Sequence, residues 1–100
     1  MKDVDDKFYE RADAHISLSN QQVSAEVSAG KVSASAMYSV ARFNAWLSAR
    51  SWNNQQEMAA AKEEAINYFT KEFRMMLEEN VDDYIANFDR YMQVNEQKES

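Results

Sequence analysis

His15 is the one histidine in the chain, and the chain has no cysteine. A histidine can act as a general base or a metal ligand, but metal sites in helical bundles need several His or carboxylate ligands at helical spacing. Glu10 and Glu26 do not stand at that spacing from His15. The sequence therefore predicts no catalytic residue, no metal site and no cofactor, and we interpret His15 as a side chain flanking the core next to Ile16.

Four acidic residues lie close together near the end of the chain. They could bind a cation or a basic partner, but they lack the alternating oxygen ligands and central glycine of a calcium loop. Two of them fall in the first turn of a predicted fourth helix, where negative charge favours the helix dipole. We therefore interpret the cluster as helix capping and a solvated face. Its members are Glu78, Glu79, Asp82 and Asp83.

A third feature combines aromatic and basic side chains. Steps of four, three, four and four place five residues on one side of a helix, namely Ser35, Ser39, Arg42, Trp46 and Arg50. Trp52 follows shortly afterwards. Tryptophan and arginine are enriched at binding hot spots, and arginine can stack on tryptophan. We interpret Arg42, Trp46, Arg50 and Trp52 as a surface for a protein partner or for a second copy of the chain.

Two other interpretations stay open. In the first, the contacts are intramolecular: another helix covers Trp46, and Arg42 pairs with Asp83 or Asp89. In the second, the chain is a small-molecule-binding or enzymatic bundle with a polar pocket near His15, Tyr38 and Arg42. Such a bundle needs a concave pocket with convergent titratable groups. The scarcity of histidine and cysteine favours a noncatalytic interaction or self-associating module.

Charge and composition exclude several classes of protein. The net charge is −6, which works against binding to nucleic acid. Most of the negative charge lies late in the chain, because residues 15–56 hold one acid and three bases, whereas residues 57–100 hold eleven acids and five bases. No apolar run is long enough to span a bilayer, and the acidic start is not a signal peptide. We expect a cytoplasmic protein with no membrane partner.

The chain has no proline and one glycine, too few for the many tight turns of a sheet protein. The apolar residues recur at helical spacing. The second predicted helix is apolar on most of its circumference, which is typical of a central, buried helix, and one of its apolar faces is Ala36, Val40, Phe43 and Leu47. The third predicted helix carries one apolar stripe, formed by Met58, Ala61, Ala65, Ile66, Phe69, Phe73, Met76 and Leu77. We predict an all-α fold, a compact bundle of four helices whose second and third helices form the core, within a single domain over 1–100. The predicted helices span 5–28, 34–51, 54–79 and 81–93, and 94–100 is a frayed tail.

Local signals set those boundaries. Asp5 suits the N-cap of the first helix, and Gly30 suits the left-handed position that ends it. Ser33 then caps the second helix. The third helix opens with Asn54 and Glu57, which stand three residues apart as in a capping box.

Two long segments carry a family resemblance. The first is KVSAS-x-MY followed by ARFNAW, at 31–38 and 41–46, and the second is EEN-x-DDYIANFDRYM at 78–92. Together they resemble a bacterial family of short, helical proteins that is classed as a domain of unknown function, and the resemblance covers about 8–92. It implies a bacterial, cytoplasmic, stand-alone domain and brings no catalytic residues with it.

Overall fold

The computed structural model describes residues 3–99, with side chains through Gln93. This part of the chain contains no strand, which confirms the all-α class. The predicted count of four helices is wrong, because the predicted third helix breaks at Ala61 and becomes two. The described helices are α1 Phe8–Gln22, α2 Ala29–Ala49, α3 Gln55–Ala60, α4 Lys62–Ala86 and α5 Phe88–Glu99.

The chain divides into two units. The first, Met1–Ala49, holds α1 and α2, and the second, Arg50–Ser100, holds the remaining three helices. The interpretation of residues 1–100 as a single domain stays a prediction.

The first helix is shorter at both ends than the predicted 5–28. Asp5 does not cap it, because its Oδ1 accepts a hydrogen bond from Nη2 of Arg11 at 2.7 Å and α1 begins only at Phe8. After Gln22 the chain turns around Ser24, whose hydroxyl oxygen accepts hydrogen bonds from the backbone N–H groups of Glu26 at 3.2 Å and Val27 at 3.1 Å. Serine competes for backbone partners in this way and ends helices.

The second helix begins at Ala29, five residues before the predicted start. Ser28 caps it, since its Oγ accepts a hydrogen bond from the N–H of Lys31 at 3.2 Å. Gly30 therefore lies in the first turn of α2, and no glycine in the described residues has a positive φ. The predictions of a left-handed Gly30 and of Ser33 as the N-cap are wrong, because Ser28 offers a cap earlier in the chain.

The one buried residue among those described in the first unit, Val32 at 4% exposed, lies at the beginning of α2. Half-buried positions follow on both helices, which pack on each other: Phe8, Ala12 and Ser19 of α1, and Ala36, Asn44 and Ser48 of α2. The other residues of α2 are exposed, although its apolar circumference predicted a central, buried helix. The expectation that α2 is buried at the core is therefore wrong for this chain on its own.

The second unit opens as the sequence predicts. Oδ1 of Asn54 accepts a hydrogen bond from the N–H of Glu57 at 2.9 Å, which confirms the cap. The carboxylate of Glu57 reaches back to the N–H of Asn53 at 3.1 Å. Positions spaced by three, four or seven along α3 and α4 are half-buried or buried, as the predicted stripe requires: Met58, Ala61, Ala65, Phe69 and Met76. Three other members of that stripe, Ile66, Phe73 and Leu77, are exposed.

The fourth helix passes through the break that the sequence predicted at Asn80. The side-chain amide of Asn80 donates to the carbonyl of Met76 at 2.8 Å, so Asn80 is accommodated within α4. The break falls instead at Asn87, between α4 and α5. The acidic cluster therefore lies inside α4, with Asp83 in its last turn rather than in a first turn. The predicted frayed tail falls where side chains are not described, and it stays a prediction.

Candidate functional site

The most exposed apolar surface of the first unit lies on α2. We call residues 37–47 the open segment. Its large apolar side chains are between 41% and 68% exposed, and they are Met37, Tyr38, Val40, Phe43, Trp46 and Leu47. Apolar residues scattered singly over a surface are ordinary, but six large exposed apolar side chains within eleven residues are a concentration of the kind that marks an interaction site. The open segment is the candidate functional site.

Two aromatic rings form the centre of the open segment. Phe43 and Trp46 stand one helical turn apart, and their ring centroids are 5.3 Å apart at an interplanar angle of 46°. This distance is within the range of favourable aromatic pairs. The sequence assigned Phe43 to a buried apolar face of the helix and Trp46 to a polar side. In the structure the two rings form a pair, so the predicted apolar and polar sides are not separate at this point.

The two serines on the predicted aromatic and basic side of α2 form hydrogen bonds with the backbone of their own helix. The hydroxyl of Ser35 donates to the carbonyl of Val32 at 3.1 Å, and that of Ser39 donates to the carbonyl of Ser35 at 3.0 Å. Serine in a helix commonly satisfies its hydroxyl in this way. Ser35 and Ser39 therefore add little to a binding surface, whereas Arg42, one turn before Trp46, is exposed.

The predicted interaction residues fall in both units. Arg42 and Trp46 are exposed on α2. Arg50 follows the last residue of α2, and Trp52, 39% exposed, lies two residues before the cap of α3. Their action as one surface stays a prediction.

The alternative pocket near His15, Tyr38 and Arg42 has no enclosed geometry within the first unit. All three side chains are exposed, and Tyr38 is 68% exposed. A catalytic pocket holds its titratable groups in a concave, partly desolvated site. In the described part of the chain, no group of three or more His, Cys, Asp or Glu residues is placed to hold a metal ion.

A polar cluster at the junction of α4 and α5 was missed by the sequence analysis. The hydroxyl of Tyr91 donates to Oδ2 of Asp83 at 3.1 Å, and the amide of Asn87 donates to Oδ1 of Asp83 at 3.0 Å. The rings of Tyr84 and Tyr91 meet at 4.9 Å, and the guanidinium of Arg90 lies 5.0 Å from the Tyr91 centroid. The spacing of Asp83, Asn87 and Tyr91 in steps of four was the available signal. The cluster holds together the corner between two helices, which is a structural role.

One carboxylate oxygen stands out on α4. Oε2 of Glu72 is buried and has no hydrogen-bond partner among the described side chains, although the residue as a whole is only half-buried. A buried oxygen without a donor costs free energy. Sequence reasoning placed no weight on Glu72, because a single glutamate on a helix is ordinarily solvated.

None of the described helices combines the length and the apolar character that crossing a bilayer requires.

Comparison with known proteins places the chain in a family. A family model described as "Protein of unknown function (DUF3144)" matches residues 8–85. Among solved structures, the chain is similar to the NMR structure of the protein NB7890A from Shewanella sp., with 40% sequence identity and a TM-score of 0.77. That match covers 91% of this chain and 96% of the other. No curated protein matches the chain. The resemblance to a helical family of unknown function is thus confirmed, and the chain belongs to the DUF3144 family.

Proposed function

We propose that the chain is a noncatalytic helical module that acts by binding a protein through the open segment of α2. The observation that carries this proposal is the exposure of six large apolar side chains on eleven consecutive residues of one helix. A helix that is apolar on most of its circumference is ordinarily buried. An apolar helix that is exposed in the isolated chain is expected where a partner protein covers it.

The chemistry of the open segment suits a protein partner. Aromatic residues and arginine are enriched at the centres of protein interfaces, and Tyr38, Arg42, Phe43 and Trp46 supply both. The alanines of α2 allow a second helix to approach closely. Covering α2 would also produce the compact helical bundle that the sequence predicts.

Three further expectations belong to this proposal. The bacterial setting is supported by the Shewanella source of the similar structure. The exclusion of nucleic acid rests on the net charge of −6. The cytoplasmic location rests on the composition of the sequence alone.

Site-specific photo-crosslinking in cells tests the proposed function. A photoreactive phenylalanine analogue replaces Phe43 in the open segment, and in a matched variant it replaces Tyr9 of α1, which is 68% exposed. We expect a protein adduct from position 43 whose crosslinked peptide maps to one partner, and which is lost when Tyr38→Glu is added. Equal adducts from both positions, or none from position 43, would contradict the proposal.

A further inference from the structure

A second exposed apolar surface lies in the second unit, along α4 and the beginning of α5. Its six large side chains follow one another at steps of four, four, three, four and four, which keeps them on one side of a helix. They are between 37% and 59% exposed. We call these residues the α4–α5 stripe: Phe73, Leu77, Val81, Tyr84, Phe88 and Met92.

The α4–α5 stripe continues across the break between the two helices, because the break is confined to Asn87. The N–H of Asn87 donates to the carbonyl of Asp83 at 3.1 Å, and the N–H of Tyr91 donates to the carbonyl of Asn87 at 3.0 Å. Both bonds have the four-residue step of an α-helix. The ring contact between Tyr84 and Tyr91, seven residues apart, also spans the break. The two members of the stripe that follow Asn87 therefore extend the same side of the helix.

The spacing of the α4–α5 stripe is the same in both directions along the chain. An antiparallel second copy can therefore place every member of the stripe opposite another member. Each of these pairs joins an aromatic ring to an aliphatic or methionine side chain, and large side chains opposite smaller ones allow two helices to interdigitate. The pairs are Phe73 with Met92, Phe88 with Leu77, and Tyr84 with Val81.

The area of the α4–α5 stripe is sufficient for a specific interface. A large apolar side chain offers on the order of 200 Å² of surface, and the six side chains are each about half exposed. Each copy thus presents about 600 Å², and an antiparallel pair would bury about 1,200 Å² in total. This is the lower end of the range for specific, stable protein interfaces.

The acidic residues near the middle of the stripe do not oppose such a contact. At about 100° per residue, Glu79, Asp82 and Asp83 lie about 130° or more around the helix from the centre of the stripe. The carboxylate of Asp83 also accepts hydrogen bonds from Asn87 and Tyr91. Their negative charges therefore point away from a helix that packs on the stripe.

One border of the α4–α5 stripe carries charges of both signs. Between positions 73 and 92, Arg74 is the one charged residue within about 60° of the centre of the stripe, and its Nε pairs with Oε1 of Glu78 at 2.9 Å. In the antiparallel register Arg74 faces position 91 of the second copy, within two residues of Asp89 on the same border. The guanidinium would then lie between two carboxylates, one from each copy, which is a complementary arrangement of charge.

We infer that the chain forms a homodimer in which the α4–α5 stripes of two copies pack antiparallel about a twofold axis that passes between Val81 and Tyr84. In a twofold contact, residue i of one copy meets residue j of the other and j meets i, and the symmetric spacing of the stripe meets this requirement. The contact uses no residue of the open segment on α2, so the inference goes beyond the proposed function and does not depend on it.

Light scattering during size-exclusion chromatography of the purified full chain tests whether the dimer forms. At micromolar concentration we expect the wild type at twice 11.6 kDa. Leu77→Glu places a charge inside an apolar contact and should run at half the mass of the wild type. Met75→Glu is the matched control, because Met75 is 53% and Leu77 is 49% exposed on α4 but Met75 lies about 150° from the centre of the stripe. We expect it to remain a dimer.

Cysteine crosslinking tests the antiparallel arrangement. The chain has no cysteine, so Val81→Cys and Thr70→Cys each introduce a single thiol on the side of the helix that bears the stripe. In the antiparallel register the two copies of position 81 are about 4.5 Å apart along the helix axis, whereas the two copies of position 70 are about 37 Å apart. A short bis-maleimide should join Val81→Cys into a covalent dimer and leave Thr70→Cys as single chains. A parallel pair in register would be joined at both positions.

Circular dichroism shows whether each variant keeps its helices, and Val81→Glu replaces Leu77→Glu if that variant does not fold. A monomeric wild type overturns the inference, whether another part of the same chain or a different protein covers the stripe. A dimer that survives Leu77→Glu, or that is lost equally with Met75→Glu, also overturns it. Crosslinking of both cysteine variants, or of neither, overturns the antiparallel arrangement.

Discussion

The two halves of α2 differ in what surrounds them. The beginning of the helix is capped by Ser28 and contains Val32, which is 4% exposed. Beyond it lies the open segment, in which Val40 is 57% exposed on the same helix. Both halves are apolar and both are helical, so helix propensity does not explain the difference. What differs is the coverage by α1. Within the first unit α2 packs on α1, and a hairpin of two helices covers only one side of α2.

The largest effect on stability is expected from truncating the covered half. Val32→Ala removes buried methyl groups and leaves a space at the α1–α2 contact, so it should lower the free energy of unfolding by about 1.5 kcal/mol. Val40→Ala is the matched change in the open segment. Because Val40 is 57% exposed, it should change stability by less than about 0.5 kcal/mol in dilute solution.

Urea unfolding at low and high protein concentration measures both variants. A cost of Val32→Ala well above that of Val40→Ala in dilute solution would support the difference in burial between the two positions. Equal costs for the two variants in dilute solution would show that the halves of α2 do not differ in burial.

A charge reversal in the open segment should have the next largest effect. Arg42→Glu reverses the one charge within the open segment, one turn before Trp46, and we expect it to lower the yield of the protein adduct from position 43. Lys31→Glu makes the same change of charge at the beginning of α2 and should lower that yield less. Crosslinking in cells at equal expression of the two variants measures both yields.

Structural features that depend on a few neighbouring residues were predicted most accurately from the sequence. The cap formed by Asn54 and Glu57 requires only three residues of spacing, and the structure contains it. Where two local signals competed, spacing did not decide between them: Ser28 and Ser33 are both suitable caps, and the structure uses Ser28. Choosing the later one also assigned Gly30 to the wrong conformation.

The burial of α2 could not be predicted from its pattern. Periodicity shows that a helix has an apolar surface, but it does not show whether that surface is covered within the same chain. The same limit applies to the candidate site. Arg42 and Trp46 were predicted from their types and spacing, whereas Phe43 was assigned to the core because it is apolar.

A substitution at Gly30 tests the closed beginning of α2. Because Gly30 lies in helical conformation and a Cβ there would meet Oγ of Ser28 at an ordinary 3.8 Å, Gly30→Ala should stabilise the chain by about 0.5–1 kcal/mol. The left-handed position that the sequence predicted would give the opposite sign. Thermal unfolding measures the change, and Ala34→Gly, also on α2, should shift it the other way.

The smallest effect concerns the ion pair before α1. The guanidinium of Arg11, hydrogen-bonded to Asp5, holds the pKa of that carboxyl below its ordinary value. A pKa lowered by folding contributes stability at pH values above the ordinary pKa of an aspartate, and that contribution is lost as the pH falls through the lowered value. Both side chains are well exposed, so the contribution to stability is small.

Arg11→Gln should return the pKa of Asp5 toward its ordinary value, because it removes the charge and the charged hydrogen bond together. Titration of the Asp5 carboxyl by NMR measures this, and Arg11→Lys, which keeps the charge but loses the planar guanidinium, should give an intermediate pKa. An unchanged titration in Arg11→Gln would show that the pair does not form in solution. The pair joins Asp5, which precedes α1, to Arg11 within α1, and it lies outside the open segment. Arg11→Gln should therefore leave the protein adduct from position 43 unchanged, whereas loss of that adduct would show that the partner also contacts the beginning of the first unit.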